Sequence, residues 1–292
     1  MSEPSKHHHL PVLYLKQWAR ADGKVIRYHR PVDQVVAHPV APKNTGFELG
    51  LYALDGFQDH RRNAIETDFL AHRVDDPAAE ALRVLISCDQ SRMTFGIGRA
   101  WAIFVMSLIA RHPTAIEQIT TSAGSDLRGR LLEDPEDYDA VRQTDDPPTL
   151  LQWVEGKKPE VLTNYGKQLL PAIVSHVPTM NAILKMRWTT LGIPSEDGDL
   201  LVSDRPVFRS HGIADERCIV AMPLSPRFLF VATLHQSTLD SVTALGPRKL
   251  ARRLNELLAE QAEKNVYAAH DDHLRFVEKR LKQRAVAEAT TG

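Results

Sequence analysis

The chain has 292 residues, with 36 Lys and Arg against 37 Asp and Glu. This balance gives no global charge excess that would imply nucleic acid or an anionic membrane as partner. A 43% hydrophobic share suffices for a packed core, and a chain of this length folds without disulfide or metal staples. Cys88 and Cys218 sit among apolar neighbours with no Cys-x-x-Cys spacing, so both thiols are expected to be buried in a reducing compartment. The start "MSEPSKHHH" lacks the basic region, apolar stretch and cleavage site of a signal peptide, so the expected location is cytoplasmic.

Pro11 suits a first helical turn, and Leu10, Leu13, Tyr14 and Trp18 recur at helical spacing, which predicts a short helix over 11–19. "ADGKVIRYHRP" then supplies an Asp-Gly turn and an alternating run, and with "VDQVVAHPV" as a second strand it predicts a small hairpin over about 24–40. From "DGFQDHRRNAIETDFLAHRVDDPAAEALRVLISC" to "RHPTAIEQITTSAGSDLRGRLLE" the apolar stripes are helical, with breaks expected at Asp76 before Pro77 and at Arg111 to Pro113. Within this region "AWAIFVMSLIA", 100–110, falls well short of the roughly 20 apolar residues a bilayer span needs, so it predicts a buried core helix.

"EDPEDYDAVRQTDDPPT" is acidic and poor in aliphatics, which predicts an exposed linker or lid. Helical pattern resumes from "LLQWVEG", with Pro171 and Pro178 expected to kink or divide it. After Trp188 the character changes: "RWTTLGI", "LLVSDRPVF", "CIVAMPL" and "RFLFVATL" are short β-branched or aromatic runs and predict a sheet. The last pattern, "GPRKLARRLNELLAEQAEKNVYAA", is a helix carrying Leu250, Leu254, Leu257 and Leu258 on one face, with a charged helical tail over 271–292. The expected fold class is α+β: one domain over 1–292, a helix-rich middle, a small N-terminal hairpin and a C-terminal antiparallel sheet.

The ordered set "HHLPVLYLKQW", "DGKVIRYHR", "AIETDFL", the apolar helix ending "ARHP", "LLVSDRPVF", "MPLSPRFLFV" and "LNELLAEQAEKNVYA" resembles the bacterial domain-of-unknown-function family 4238 over roughly 7–270. The resemblance places the family's opening His on His8 and its Pro on Pro11, with His9 where an aromatic is usual. Its Ser-Asp-x-Pro element matches Ser203, Asp204 and Pro206, with Arg205 where Asn is common. The resemblance carries over positions and no chemistry.

Three residues stand out as candidates for chemistry. His8 heads the apolar N-terminal segment, Glu66 borders the buried face of "NAIETDFLAH", and Asp204 follows three apolar strand residues in "LLVSDRPVF". If they converge, one imidazole and two carboxylates would suit Mn²⁺, Mg²⁺ or Zn²⁺ and the activation of water. Arg111 and Arg205, with Ser203, would then hold a phosphate or carboxylate. Each has a bland reading beside it: a helix cap for the histidines, a paired border residue for Glu66, an ordinary Asp turn for Asp204, a helix-end cation for Arg111. Two function classes follow, a metal-dependent hydrolase of phosphodiesters with a nuclease-like character, or a non-catalytic binding or regulatory protein. "FGIGRAW" lacks the third small residue and preceding strand of a dinucleotide loop, and no Walker, His-Glu-x-x-His or G-x-S-x-G motif is present.

Overall fold

The computed structural model describes residues 5–133 and 135–282. Strand β1 (Lys6–His8) pairs antiparallel with β4 (Phe47–Leu49), so the histidine run begins as the edge of a two-stranded ribbon. Between them lie β2 (Val25–His29) and β3 (Val36–Val40), the expected hairpin. Late in the chain come β5 (Arg187–Gly192), β6 (Val202–Ser203), β7 (Phe208–Arg209), β8 (Ile219–Ser225), β9 (Phe228–Thr233) and β10 (Asn265–Ala268). They make one sheet in the order β5-β9-β8-β7, and a second, β3-β2-β10-β6, in which the N-terminal hairpin is completed by C-terminal strands. The α+β reading holds, but the hairpin is not a separate piece.

Three local expectations need correction. "NVYA" is strand β10 rather than helix, because Val266, Tyr267 and Ala268 are buried between β2 and β6. "LLVSDRPVF" does not form one strand: β6 joins the sheet of β2 and β10, whereas β7 joins β8. The acidic linker contains a helix, Pro135–Val141. Of the charged tail, Leu274–Glu278 is a short helix, and 283–292 lie outside the described residues.

The helical middle also departs from its expected punctuation. A continuous run passes from α-helix Asp59–Ala64 through a π-helix, Ile65–Asp75, into α-helix Asp76–Ile86. Pro77 therefore opens an α-helical register rather than a loop. Pro171 sits inside helix Glu160–Val174 without dividing it, while Pro178 lies in the first turn of helix Val177–Lys185. Gly166 permits the close approach of helix Glu160–Val174 to helix Pro113–Glu133, since a Cβ there would stand 2.4 Å from the Cα of Thr120. Cys218 is buried but Cys88 is exposed, because it follows the end of helix Asp76–Ile86 with φ at 55°.

The core is organised around helix Phe95–Ala110, which buries Trp101, Phe104, Val105 and Leu108. No helix among the described residues is long and apolar enough to cross a membrane. Tyr14 meets Trp18 and Phe104 edge on, and Trp101 meets Phe230 of β9. The two N-terminal aromatics also satisfy their polar ends: Tyr14 Oη donates to Pro223 O at 2.5 Å and Trp18 Nε1 to Leu200 O at 2.7 Å. This double attachment fixes the segment that follows β1, and so positions the histidines.

Candidate functional site

The three histidines occupy different environments. His7 is saturated: its Nδ1 accepts from the Tyr52 N–H at 2.8 Å, its Nε2 is 2.9 Å from Asn63 Oδ1, and its ring stacks on Tyr52. That bonding fixes one neutral tautomer, with Nε2 as the donor to Asn63. His8 donates its backbone N–H to Glu66 Oε1 at 2.9 Å, and its Nδ1 lies 4.0 Å from the same oxygen. His9 is 4% exposed and presents its ring edge on to His112, with centroids 5.4 Å apart.

Glu66 stands in the first turn of the π-helix and Asp75 at its end. Extended π-helix is rare and, as single-turn bulges, recurs at functional sites. Arg111, at the end of helix Phe95–Ala110, is fully buried. Its Nη1 donates to Asp75 Oδ1 at 3.0 Å and Oδ2 at 3.2 Å, and its carbonyl accepts from Tyr52 Oη at 2.6 Å. Arg111 is therefore more than a helix-end cation: it bonds Asp75 and Tyr52, and its charge acts on Glu66, His8 and His9.

Five polar atoms of this cluster are buried with no hydrogen-bond partner among the described residues: His8 Nε2, His9 Nδ1, Glu66 Oε2, and Arg111 Nε and Nη2. Buried polar groups in folded proteins are nearly always paired, and each exception calls for a physical cause. The electrostatics agree that this is an unusual place. Burial pushes the Glu66 carboxyl up to about 7, against the His8 N–H and the Arg111 charge, which pull it down. Burial also raises Asp75 despite its guanidinium partner, and lowers His8. His9 is driven down to about 3 by burial first, and then by the charges of His112 and Arg111. The imidazoles are thus neutral at pH 7, while Glu66 is divided between its two protonation states.

Asp204 belongs to a different arrangement. It is 2% exposed, and its Oδ1 accepts the N–H of Glu263 at 3.0 Å, while Oδ2 accepts those of Lys264 at 2.6 Å and Asn265 at 2.8 Å. Burial raises its carboxyl to about 6 even so. Ser203 Oγ donates to Arg205 O at 2.9 Å within the same turn, and Arg205 Nη1 reaches Glu263 Oε1 at 3.2 Å near the surface. The two regions approach through one chain of neighbours. His9 meets His112, whose Nδ1 lies 3.7 Å from Glu263 Oε1, and Glu263 hangs on Asp204 through its backbone.

The structure brings His8 and Glu66 together with Arg111, and does not bring Asp204 to them as a third ligand. Among the described residues no group of three His, Cys, Asp or Glu side chains is arranged to hold a metal ion. His9, His112 and Asp75 were missed from sequence. The "ARHP" end of the apolar helix was the available signal for His112, and the place of Asp75 two residues before Pro77 would have suggested only a cap. A family model described as protein of unknown function (DUF4238) matches residues 6–272. No curated protein and no solved structure matches the chain.

Proposed function

We propose that this chain, which belongs to the DUF4238 family, is a hydrolase of phosphodiesters that works by proton transfer at Glu66. One observation carries the proposal: a buried carboxyl held at about 7 with Oε2 unpartnered, beside a buried guanidinium with two unpartnered donors. A general acid–base group is most effective with a pKa near the working pH, and a guanidinium fork matches two oxygens of a phosphate.

In this reading Arg111 Nε and Nη2 hold non-bridging phosphate oxygens while Nη1 keeps its bond to Asp75. The neutral Nε2 of His8 takes a proton from water as the water oxygen bonds to phosphorus. The P–O bond to the departing group breaks, and protonated Glu66 gives its proton to that oxygen, after which the proton on His8 returns to the Glu66 carboxylate. The His8 and Glu66 side chains are each 18% exposed, so the pair lies at the edge of the core, with Nε2 and Oε2 turned inward.

The metal-dependent form of the proposal keeps His8 and Glu66 as ligands, one nitrogen and one oxygen donor of the kinds Mn²⁺ and Zn²⁺ accept. Asp204 could join them only by giving up three backbone hydrogen bonds. The test is hydrolysis of bis(p-nitrophenyl) phosphate and of single- and double-stranded DNA and RNA, with Mn²⁺, Mg²⁺, Zn²⁺ or a chelator. Glu66→Gln should cut kcat by about 10²-fold or more with the fold unchanged by circular dichroism. No turnover in any condition overturns the proposal in favour of the second reading, a non-catalytic binding or regulatory protein. That reading is favoured by one observation, that the unpartnered atoms are themselves closed off from solvent.

A further inference from the structure

A cleft of about 290 Å³ lies between the β2 strand end, residues 44–48 leading into β4, and the segment 263–265. Its wall includes the cations Arg27, Arg30, Lys264 and Lys282 against the carboxylates of Glu48 and Glu263. Both carboxylates are already engaged, Glu48 by Lys264 and Glu263 by Arg205 and Thr114. The cleft keeps an excess of positive charge in a chain that has none overall.

The cationic groups are held in place from behind. Arg27 Nη2 is 2.8 Å from His38 Nε2, and His38 meets the His29 ring edge on at 4.7 Å. Arg30 Nη2 donates to the carbonyls of Glu278 at 3.0 Å and Leu281 at 3.3 Å. Three further nitrogens of these wall residues, Arg27 Nε, His29 Nδ1 and Arg30 Nε, are buried with no partner among the described residues. Burial, followed by the Arg27 charge, keeps His29 neutral, with its pKa down at about 4, so its ring can accept one hydrogen bond and donate another. Two anchored guanidiniums and Lys282, with Lys264 shared with Glu48 and a neutral imidazole beside them, give the wall a net positive charge suited to an anion.

We infer that this cleft is a binding site for a phosphate monoester of a small polar molecule, separate from the Glu66 cluster. The phosphate takes the guanidinium and ammonium lining. A cavity of this size has room beyond one phosphate group for an organic part, and Phe47 lies in the same wall. The inference is independent of the hydrolase proposal, since no group assigned there lines the cleft.

The test is titration calorimetry of the full chain with inorganic phosphate and with AMP, beside thermal unfolding in phosphate and in chloride at matched ionic strength. Phosphate should raise Tm where chloride does not, and AMP should bind more tightly than inorganic phosphate. Affinity for both should fall about tenfold in Arg27→Gln, the loss of one charge-assisted contact. Lys282→Gln, an exposed change that leaves the fold alone, should weaken it in the same direction. Glu66→Gln, which removes the proposed reactive group, should bind both probes as the native chain does. Equal stabilisation by chloride, AMP binding no tighter than phosphate, or binding that survives Arg27→Gln and Lys282→Gln but is lost in Arg111→Lys would each overturn the inference.

Discussion

Asp204 and Glu66 are both acids set beside apolar residues, both are taken out of water, and burial lifts both carboxyls towards neutrality. They differ in what meets them. Asp204 receives three backbone N–H groups on its two oxygens, and its turn is closed. Glu66 receives one N–H on Oε1 and none on Oε2, beside an arginine and two histidines with polar atoms also unmatched. A raised carboxyl alone therefore does not mark a reactive site. The distinguishing sign is a raised carboxyl whose neighbours have bonding capacity left over, because spare capacity can be spent on a ligand or a reacting atom.

The contrast can be broken by substitution, and the largest effect belongs to the closed turn. Asp204→Ala would leave three buried N–H groups without acceptors at about 1 to 3 kcal/mol each, so urea unfolding should show a loss of at least about 3 kcal/mol. A loss below about 1 kcal/mol would mean that the Asp204 carboxylate is not the anchor of segment 263–265. Arg111→Met comes next. It strands the Asp75 carboxyl, and breaking a buried pair costs about 3 kcal/mol or more. Adding Asp75→Asn should recover much of that loss; an additive double variant would contradict the pairing.

Glu66→Gln sharpens the comparison through pH. Native Glu66 holds its proton up to about 7, whereas the unfolded chain releases it near 4.5. Between those values the folded state binds more protons, so the Glu66 contribution is full below about 4.5 and is lost as pH rises towards 7. Gln has no such loss. The variant should match the native chain at pH 4.5 and become more stable than it by up to about 3 kcal/mol at pH 8. His9 and His112, depressed to about 3 and about 4, act with the opposite sign, which is why the difference between the two proteins is the quantity to measure. A difference flat across pH 4.5 to 8 would show that Glu66 titrates as an ordinary surface acid. The smallest effect is expected from Arg205→Gln, since its pair with Glu263 is half exposed and such pairs are worth under about 1 kcal/mol.

What could be read from the sequence divides along the same line. Helix Phe95–Ala110, helix Pro247–Gln261 and the strands after Trp188 follow local periodicity, and local periodicity sufficed to find them. The Asp turn at 204 follows from Ser-Asp before a proline in the same way. The Glu66 surroundings are made of partners far apart in the chain: His8 with Glu66, Asp75 with Arg111, His9 with His112. No repeat of 2 or 3.6 residues encodes such meetings. The π-helical register that carries both Glu66 and Asp75 is equally invisible, because its apolar stripe does not keep the α-helical period. Strand β10 was hidden for a related reason: "NVYA" directly follows a strong helical stripe, and only pairing with β2 and β6 makes it extended.

The attachments of Tyr14 to Pro223 and of Trp18 to Leu200, with the pairing of β2 to β10, also impose an order in time. During synthesis the first-made segment emerges long before the carbonyls and strand that will hold it exist. It must wait while the helical middle, rich in near-neighbour contacts, collapses first. The anchoring of the segment after β1 therefore belongs to a late step of assembly, and a nascent chain halted before residue 200 should lack both side-chain anchors.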